Sequence, residues 1–243
     1  MHRLLADADA IRGDCPRLSD EALAHMRVLR LKEGEEIELF DGCGLWRRYA
    51  VANASRAELS PTSPAMSAER PSPLVLFACV TKGSRWDWTV EKATELGVTR
   101  IVPVISARTI VRVDPKERES KRSRWTRIAA DAARQSDAKW IPEVLAPVSL
   151  EESLSLVKDT ACLVGALTTP PPRPIADAVR ELSAGRDPAV YVGPEGDFTP
   201  DELARLIEIA TPVSFGSTIL RAETAAIYGV SVLKAALDSC TSS

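Results

Sequence analysis

Residues 189–202 read AVYVGPEGDFTPDE and join a short apolar run to the start of a helix. Ala189 to Val192 have the apolar composition of a buried strand. Thr199, Pro200 and Glu202 then supply an N-cap, a proline at the first helical position and a glutamate at the third. Gly193 to Gly196 therefore form a strand-to-helix loop. In open α/β sheets such loops lie at the carboxyl ends of strands, where ligands bind.

A second segment, GSTILRAETA at residues 216–225, has the same character. Gly216 ends a predicted strand, a loop follows, and Arg221 stands at or just before the start of a helix. A cation there faces the positive end of the helix dipole, so its position is unfavourable by intrinsic preference. We expect Glu195, Glu223 or an anionic ligand to hold it. An ion pair with one of these glutamates is the purely structural explanation.

Composition limits the classes of protein that this chain can belong to. It has 243 residues, 45% hydrophobic and 27% charged, which is typical of a globular protein with room for two domains. The longest apolar run, Leu74 to Val80, is too short to span a membrane, and the N-terminus lacks a secretory signal pattern. We therefore expect a cytoplasmic protein without a membrane segment. Five scattered cysteines and only two histidines, His2 and His25, predict reduced thiols and no metal site.

Basic residues concentrate in one block, residues 108–127. It holds eight cations and three acids, Asp114, Glu117 and Glu119. Such a block could bind a polyanion, although a solvated loop and helix would have the same composition. The cations are Arg108, Arg112, Lys116, Arg118, Lys121, Arg122, Arg124 and Arg127.

The order of predicted elements indicates two parts. A helix beginning near Ser19 and a β-hairpin, Glu35 to Phe40 with Leu45 to Ala52, precede a proline- and serine-rich stretch at 57–73, which we interpret as a linker. After it, strands and helices alternate, which predicts an α/β fold with a mostly parallel sheet and helices on both faces. The predicted elements are strands at 74–80, 100–105, 161–167, 189–192 and 213–215, and helices at 86–96, 121–138, 175–182, 200–209 and 222–237.

Missing motifs exclude several activities. The sequence has no G-x-G-x-x-G after a strand, and Thr81-Lys82-Gly83-Ser84 lacks the leading glycines of a Walker A loop. It has no G-x-S-x-G elbow, and both histidines lie in the first part of the chain. Dinucleotide binding, P-loop nucleotide hydrolysis and histidine-assisted hydrolysis are therefore unsupported.

The remaining motifs, in this order, resemble one family over nearly the whole chain. It is the RsmE family of bacterial small-subunit (16S) rRNA uridine-N3 methyltransferases, in the SPOUT class of S-adenosylmethionine-dependent enzymes. Asp197 departs from the glycine usual in that family, Ala138 from an arginine and Phe215 from a leucine. The motifs are HMRVLR (25–30), Lys82-Gly83, EKATELGV (91–98), Arg124-Trp125, Ala132 to Ser136, Ile141-Pro142, GPEG (193–196) and ILRAETA (219–225).

The resemblance implies a PUA-like, RNA-binding β-barrel at residues 1–70 and a SPOUT methyltransferase domain, tied in a trefoil knot, at residues 71–243. It also implies a homodimer and S-adenosylmethionine as the cofactor, without a metal. The implied cofactor contacts are Leu167, Thr168, Val192, Gly193, Pro194, Glu195, Gly196, Phe215, Gly216, Ile219, Leu220 and Thr224.

By the same resemblance, the partner is the small ribosomal subunit and the product is an N3-methylated uridine near the decoding centre. Arg221 would stabilise negative charge on the uracil, and Glu223, Glu195 or Glu95 would accept the N3 proton. A different SPOUT RNA methyltransferase, acting on a ribose 2′-oxygen of tRNA or rRNA, and a non-catalytic ribosome-assembly protein are the alternatives. The implied RNA contacts are Arg27, Arg30, Lys82, Arg85, Arg108, Arg122 and Arg124.

Overall fold

A computed structural model describes residues 1–182 and 185–241 and divides the chain into two compact units. One unit comprises Met1–Pro71 with Ala130–Ile141, and the other comprises Ser72–Ala129 with Pro142–Ser243. In the described ranges, every helix is too short or too polar to cross a membrane.

The first unit is built on a five-stranded sheet. Its strand order is β1-β2-β3-β4, with β5 also paired to β3, and only the β1–β2 pair is parallel. The predicted hairpin is β2 and β3, and the predicted helix is α2, whose N-terminus is capped by the Ser19 hydroxyl. Both predictions are confirmed. The elements are β1 (His2–Leu5), α1 (Ala8–Arg12), α2 (Asp20–Leu29), β2 (Glu36–Phe40), β3 (Leu45–Asn53), β4 (Glu58–Pro61) and β5 (Met66–Ser67).

The interpretation of residues 57–73 as a linker is wrong for most of its length. Both β4 and β5 pair with β3, and Leu59 is buried in the core of this unit. The prolines suggested a linker because proline disfavours the interior of a sheet. Strand β4 lies at the edge of the sheet, however, where the missing amide donor of Pro61 is tolerated.

A buried arginine of β1 connects this strand to β2 and to residues 133–138 of the first unit, and no sequence pattern predicted it. The Arg3 guanidinium donates to Glu38 Oε1 at 2.8 Å, to the Ala133 carbonyl at 2.8 Å and to the Ala138 carbonyl at 2.9 Å. Both side chains of the Arg3–Glu38 pair are almost fully buried, and Lys139 also contacts Glu38. At Ala138 the backbone carbonyl, rather than the side chain, therefore makes the structural contact.

The second unit is a parallel sheet covered by helices. Its strand order is β12-β10-β11-β6-β7-β8, with β9 also paired to β7, and every pair is parallel. The α/β prediction is confirmed. The elements are β6 (Val75–Cys79), α3 (Ser84–Glu95), β7 (Arg100–Ile105), α4 (Arg118–Gln135, which continues into the first unit's range), β8 (Glu143–Val144), β9 (Val148–Ser149), α5 (Leu150–Val157), β10 (Thr160–Gly165), α6 (Ile175–Ala178), β11 (Asp187–Val192), α7 (Pro200–Ile207), β12 (Thr211–Val213) and α8 (Ala222–Thr241).

Helix ends follow their capping residues. At α7 the Thr199 hydroxyl and the Glu202 carboxylate form the predicted capping box. Ser149 and Glu152 form a second capping box at α5, a helix that we did not predict although the Ser-x-x-Glu pattern is visible in the sequence. Several predicted boundaries are shifted. Helix α4 spans Arg118–Gln135 rather than 121–138, α6 ends at Ala178 rather than at 182, and β12 spans Thr211–Val213 rather than 213–215.

Helices pack on both faces of β11. Ala189 and Tyr191 belong to a core cluster with residues of α5 and α7. Val190 points the other way, because successive side chains of a strand face opposite sides. It meets Gly229 of α8 so closely that a Cβ atom at this glycine would lie 2.8 Å from Val190 Cγ2. The missing side chain at Gly229 thus lets α8 lie close against β11.

We expect Arg3→Met to lower the free energy of unfolding by about 3–5 kcal/mol, because it leaves the buried Glu38 with a weaker set of partners. Urea titration followed by circular dichroism measures this. Arg56→Met is the matched control, since the Arg56–Glu58 pair is exposed and its loss should cost less than about 1 kcal/mol. Equal effects of the two substitutions would contradict the role of Arg3.

We expect Gly229→Leu to lower the free energy of unfolding by about 1–3 kcal/mol, because the larger side chain must push α8 away from Val190. The control is Ala235→Leu, which adds the same side chain at an exposed position of the same helix. Thermal unfolding of both variants is the measurement. A Gly229→Leu variant as stable as its control would show that the close contact is dispensable.

Candidate functional site

One cleft lies at the carboxyl ends of β10, β11 and β12. It has a volume of about 280 Å³ and is lined by residues 165–167, by residues of the loop after β11 and by residues of the segment that leads into α8. The two segments singled out in the sequence thus meet at the same edge of the sheet. Most of the predicted cofactor contacts line this cleft, namely Leu167, Val192, Gly193, Pro194, Glu195, Phe215, Gly216, Ile219 and Leu220, and so does Arg221.

Three predicted cofactor contacts do not line the cleft. Thr168 donates a hydrogen bond to the Pro170 carbonyl, Gly196 accepts one from Arg108, and Thr224 lies exposed in the first turn of α8. Sequence reasoning also missed several lining residues. The apolar run that predicted β10 could have drawn attention to its last residues. The missed residues are Gly165, Ala166, Asp197, Thr218, Ala222 and Ala225.

The loop after β11 is held by a turn and by one arginine. The Asp197 amide donates to the Pro194 carbonyl at 3.0 Å, and Asp197 itself has a left-handed backbone, with φ of 58°. Aspartate tolerates this conformation better than most residues, so the departure from glycine preserves the turn. Arg108 donates to the carbonyls of Gly196 and Phe198, at 2.9 and 3.2 Å. This predicted RNA contact therefore braces the loop.

The segment before α8 turns at Gly216, whose φ of +119° favours glycine. The Phe215 ring packs over Gly165, where a Cβ atom would lie 2.5 Å from the ring, and it meets Tyr228 edge-on. At the rim of the cleft, Leu167 and Ile219 are 63% and 83% exposed. The cleft therefore has apolar walls and a rim of accessible apolar side chains.

Arg221 occupies the N-cap position of α8, and its carbonyl accepts from the Ala225 amide at 2.8 Å. The predicted ion pair of Arg221 with Glu195 or Glu223 is wrong. Among the described residues, both carboxylates instead form ion pairs with Arg85. Arg85 Nη1 lies 3.5 Å from Glu195 Oε1, and Arg85 Nε lies 3.9 Å from Glu223 Oε1. In the part of the chain that the structure describes, Arg221 has no ion-pair partner.

Four of the eight cations of the basic block pair with neighbouring acids. Arg118 pairs with Glu152, Lys121 with Glu117, Arg122 with Glu119 and Arg124 with Asp87. The other predicted RNA contacts are exposed. Arg27 and Arg30 lie at the end of α2 in the first unit, and Lys82 lies just before α3.

Neither buried cysteine of the second unit provides a nucleophile. Burial raises the pKa of Cys79 to about 12, and it raises the pKa of Cys162 as well, so both thiols are protonated at neutral pH. Residues 1–182 and 185–241 contain no cluster of three metal-ligating side chains.

Comparisons with known protein families find similar domains in both parts of the chain. The profile described as an RNA methyltransferase domain matches residues 68–234, and the profile described as an RNA methyltransferase PUA domain matches residues 18–60. The ribosomal RNA small subunit methyltransferase E of Synechocystis sp. is 32% identical over 217 residues, covering 88% of this chain and 70% of that protein. The protein of the same name from Bacillus subtilis is 29% identical, covering 89% and 88%.

Solved structures show the same similarity. A ribosomal RNA small subunit methyltransferase E from Neisseria gonorrhoeae, bound to S-adenosylmethionine, superposes with a TM-score of 0.84 at 28% identity over 97% of each chain. A protein from Legionella pneumophila in complex with the same cofactor superposes with a TM-score of 0.81 at 28% identity, covering 96% of this chain and 97% of that one. From its motifs, its fold and these relatives, the chain belongs to the ribosomal RNA small subunit methyltransferase E (RsmE) family.

Proposed function

We propose that this protein transfers the methyl group of S-adenosylmethionine to N3 of a uridine in 16S rRNA near the decoding centre. The observation that carries the proposal is the cleft at the carboxyl ends of β10, β11 and β12, which is lined by the two motifs shared with the family. Two relatives by sequence that are named ribosomal RNA small subunit methyltransferase E support it. Two similar solved structures, which contain S-adenosylmethionine, support the choice of cofactor.

The residues of the cleft fit S-adenosylmethionine. Leu167 and Ile219 offer accessible apolar surface for an adenine ring, and Gly216, which has open space where a side chain would stand, lets a ligand approach the backbone. Leu220 and Pro194 add apolar wall, and Glu195 supplies negative charge for a sulfonium or an amino group. When bound, the cofactor supplies an electrophilic methyl group.

Arg221 has the chemistry to assist the transfer. It lines the cleft without an ion-pair partner among the described residues, so its guanidinium is available to a substrate oxygen. As uracil N3 loses its proton, negative charge develops on the two neighbouring carbonyl oxygens, and a fixed cation stabilises it. Three carboxylates of the family motifs, Glu95, Glu195 and Glu223, are the candidate acceptors of the proton.

The family also leads us to propose the larger organisation. Residues 1–70 would act as a PUA-like RNA-binding barrel and residues 71–243 as a knotted SPOUT domain, in a homodimer that works in the cytoplasm, where ribosomal subunits are. The proposed RNA contacts are Arg27, Arg30, Lys82, Arg122 and Arg124. At the cleft, Arg108 braces the loop after β11, and Arg85 faces Glu195 and Glu223.

We expect Arg221→Ala to reduce methyl transfer to small subunits by about 100-fold or more, because it removes a preorganised charge from the transition state. Small subunits that lack the modification are incubated with labelled cofactor, and nucleoside mass spectrometry identifies 3-methyluridine. The unfolding midpoint should not change. Arg205→Ala, at an exposed arginine of α7, is the control and should retain full activity. Near-normal turnover by Arg221→Ala would refute its role.

The same assay separates the other functions considered for this chain. A 2′-O-methylated nucleoside as the product would identify a different SPOUT activity. Failure to bind S-adenosylmethionine in calorimetry would favour a non-catalytic RNA-binding protein.

We expect the double charge reversal Arg122→Glu with Arg124→Glu to weaken binding to small subunits by about tenfold and to flatten its salt dependence, because each lost phosphate contact lowers the slope. The new carboxylates would also lie beside Glu119 and Asp87 and repel them. Filter binding over a series of salt concentrations measures this. The reversal of Arg180 and Arg205, two exposed arginines outside the block, is the control. Equal binding by both double variants would exclude this surface.

A further inference from the structure

The three candidate carboxylates differ in what surrounds them. Glu95 lies at the end of α3 and is paired with Lys92 at 2.8 Å, and it does not line the cleft. Glu223 is only 12% exposed, and its Oε2 atom is buried without a hydrogen-bond partner. Only Glu195 lines the cleft together with Arg221. The geometry therefore distinguishes three carboxylates that the sequence left as alternatives.

Another carboxylate of the cleft, Asp197, is engaged in the turn. Its Oδ1 atom accepts a hydrogen bond from the Phe198 amide at 2.8 Å, which holds the carboxylate against the main chain. Glu195 accepts no such hydrogen bond in residues 1–182 and 185–241, and its one charged partner there is Arg85. Glu195 is thus the carboxylate of the cleft that is free to contact a substrate.

Arg85 lies between the carboxylate of Glu195 and the largely buried carboxylate of Glu223. It lies in the first turn of α3 and is half exposed, with Glu195 at 3.5 Å and Glu223 at 3.9 Å. Because Glu223 is largely buried at the start of α8, it can act as the fixed counter-charge that orients the guanidinium. The guanidinium in turn faces Glu195 on the loop after β11. A chain of alternating charges therefore runs from α8 through α3 to the wall of the cleft.

We propose that Glu195 accepts the N3 proton of the target uridine, and that Arg85, held by Glu223, is a positioning residue for Glu195. The inference rests on the proposed function. In the step, the N3–H bond breaks and the proton passes to a Glu195 carboxylate oxygen. The N3 electron pair forms the new N–CH₃ bond, and the pair of the breaking S–CH₃ bond stays on sulfur, which becomes a neutral thioether.

The decisive experiment is single-turnover methylation of unmodified small subunits by Glu195→Gln over a range of pH values. A carboxamide cannot accept the proton, so we expect a loss of about 100-fold at neutral pH. As the pH is raised above neutral, the rate of the variant should increase by about tenfold per pH unit, because a uracil that is already deprotonated at N3 needs no proton acceptor. Calorimetry should show that Glu195→Gln still binds S-adenosylmethionine, so that the loss at saturating cofactor lies in the transfer step. Glu91→Gln, on the exposed side of α3, is the matched control with wild-type rates.

Glu223→Gln and substitutions of Arg85 test the positioning role. Glu223→Gln should lower the rate without recovery at high pH, since it disturbs the orientation and not the proton transfer. Arg85→Met should lower kcat while leaving KM for small subunits unchanged, and Arg85→Lys should restore part of kcat because it keeps the charge. A change in KM alone would make Arg85 an RNA contact and overturn its positioning role.

Two results would overturn the assignment of the proton acceptor, and a third concerns the function itself. Normal transfer by Glu195→Gln at every pH, or recovery at high pH in Glu223→Gln instead, would refute Glu195 as the acceptor. In both cases wild-type protein would still form 3-methyluridine. If the wild-type protein forms none on small subunits, the proposed function fails, and the inference fails with it.

Discussion

The close contact between α8 and β11 is the constraint on which the candidate site depends. Gly229 leaves no room for a side chain against Val190, so the helix axis lies near the strand. The first turn of α8 is consequently brought to the carboxyl end of the sheet, where the loop after β11 also lies. The cleft depends on this arrangement, because two of its three lining segments, the loop after β11 and the segment before α8, are about twenty residues apart in the chain.

The charges around the cleft are arranged around this framework. The N-terminus of α8 carries a partial positive charge, and Arg221 adds a full one there, although the intrinsic preference is for an anion. The structure does not neutralise that arginine with the nearby glutamates, because Arg85 of α3 binds them instead. One cation is thus left to face the cleft, and one is engaged with two carboxylates. This distribution of charges suits the proposed reaction, in which a cationic methyl donor reacts with a uracil that becomes negatively charged as it loses its N3 proton.

Local signals in the sequence were reliable where they acted over a few residues. Thr199 and Glu202 predicted the start of α7 through their reciprocal hydrogen bonds, and the apolar runs predicted the central strands. The linker prediction failed at β4, because prolines disfavour the interior of a sheet but are tolerated at its edge. The role of Arg108 was also missed, since only the fold brings it to the carbonyls of the loop after β11.

By itself, the sequence determined the α/β class, the position of both cleft-forming loops and the family, since capping residues, apolar periodicity and glycine positions act on neighbouring residues. The tertiary structure alone decided the partners of the charged groups. Arg85 and Glu223 are separated by 138 positions, and Arg3 reaches carbonyls about 130 residues away. Coulombic and hydrogen-bond energies depend on distance in space, and that distance exists only after the sheet has gathered its strands.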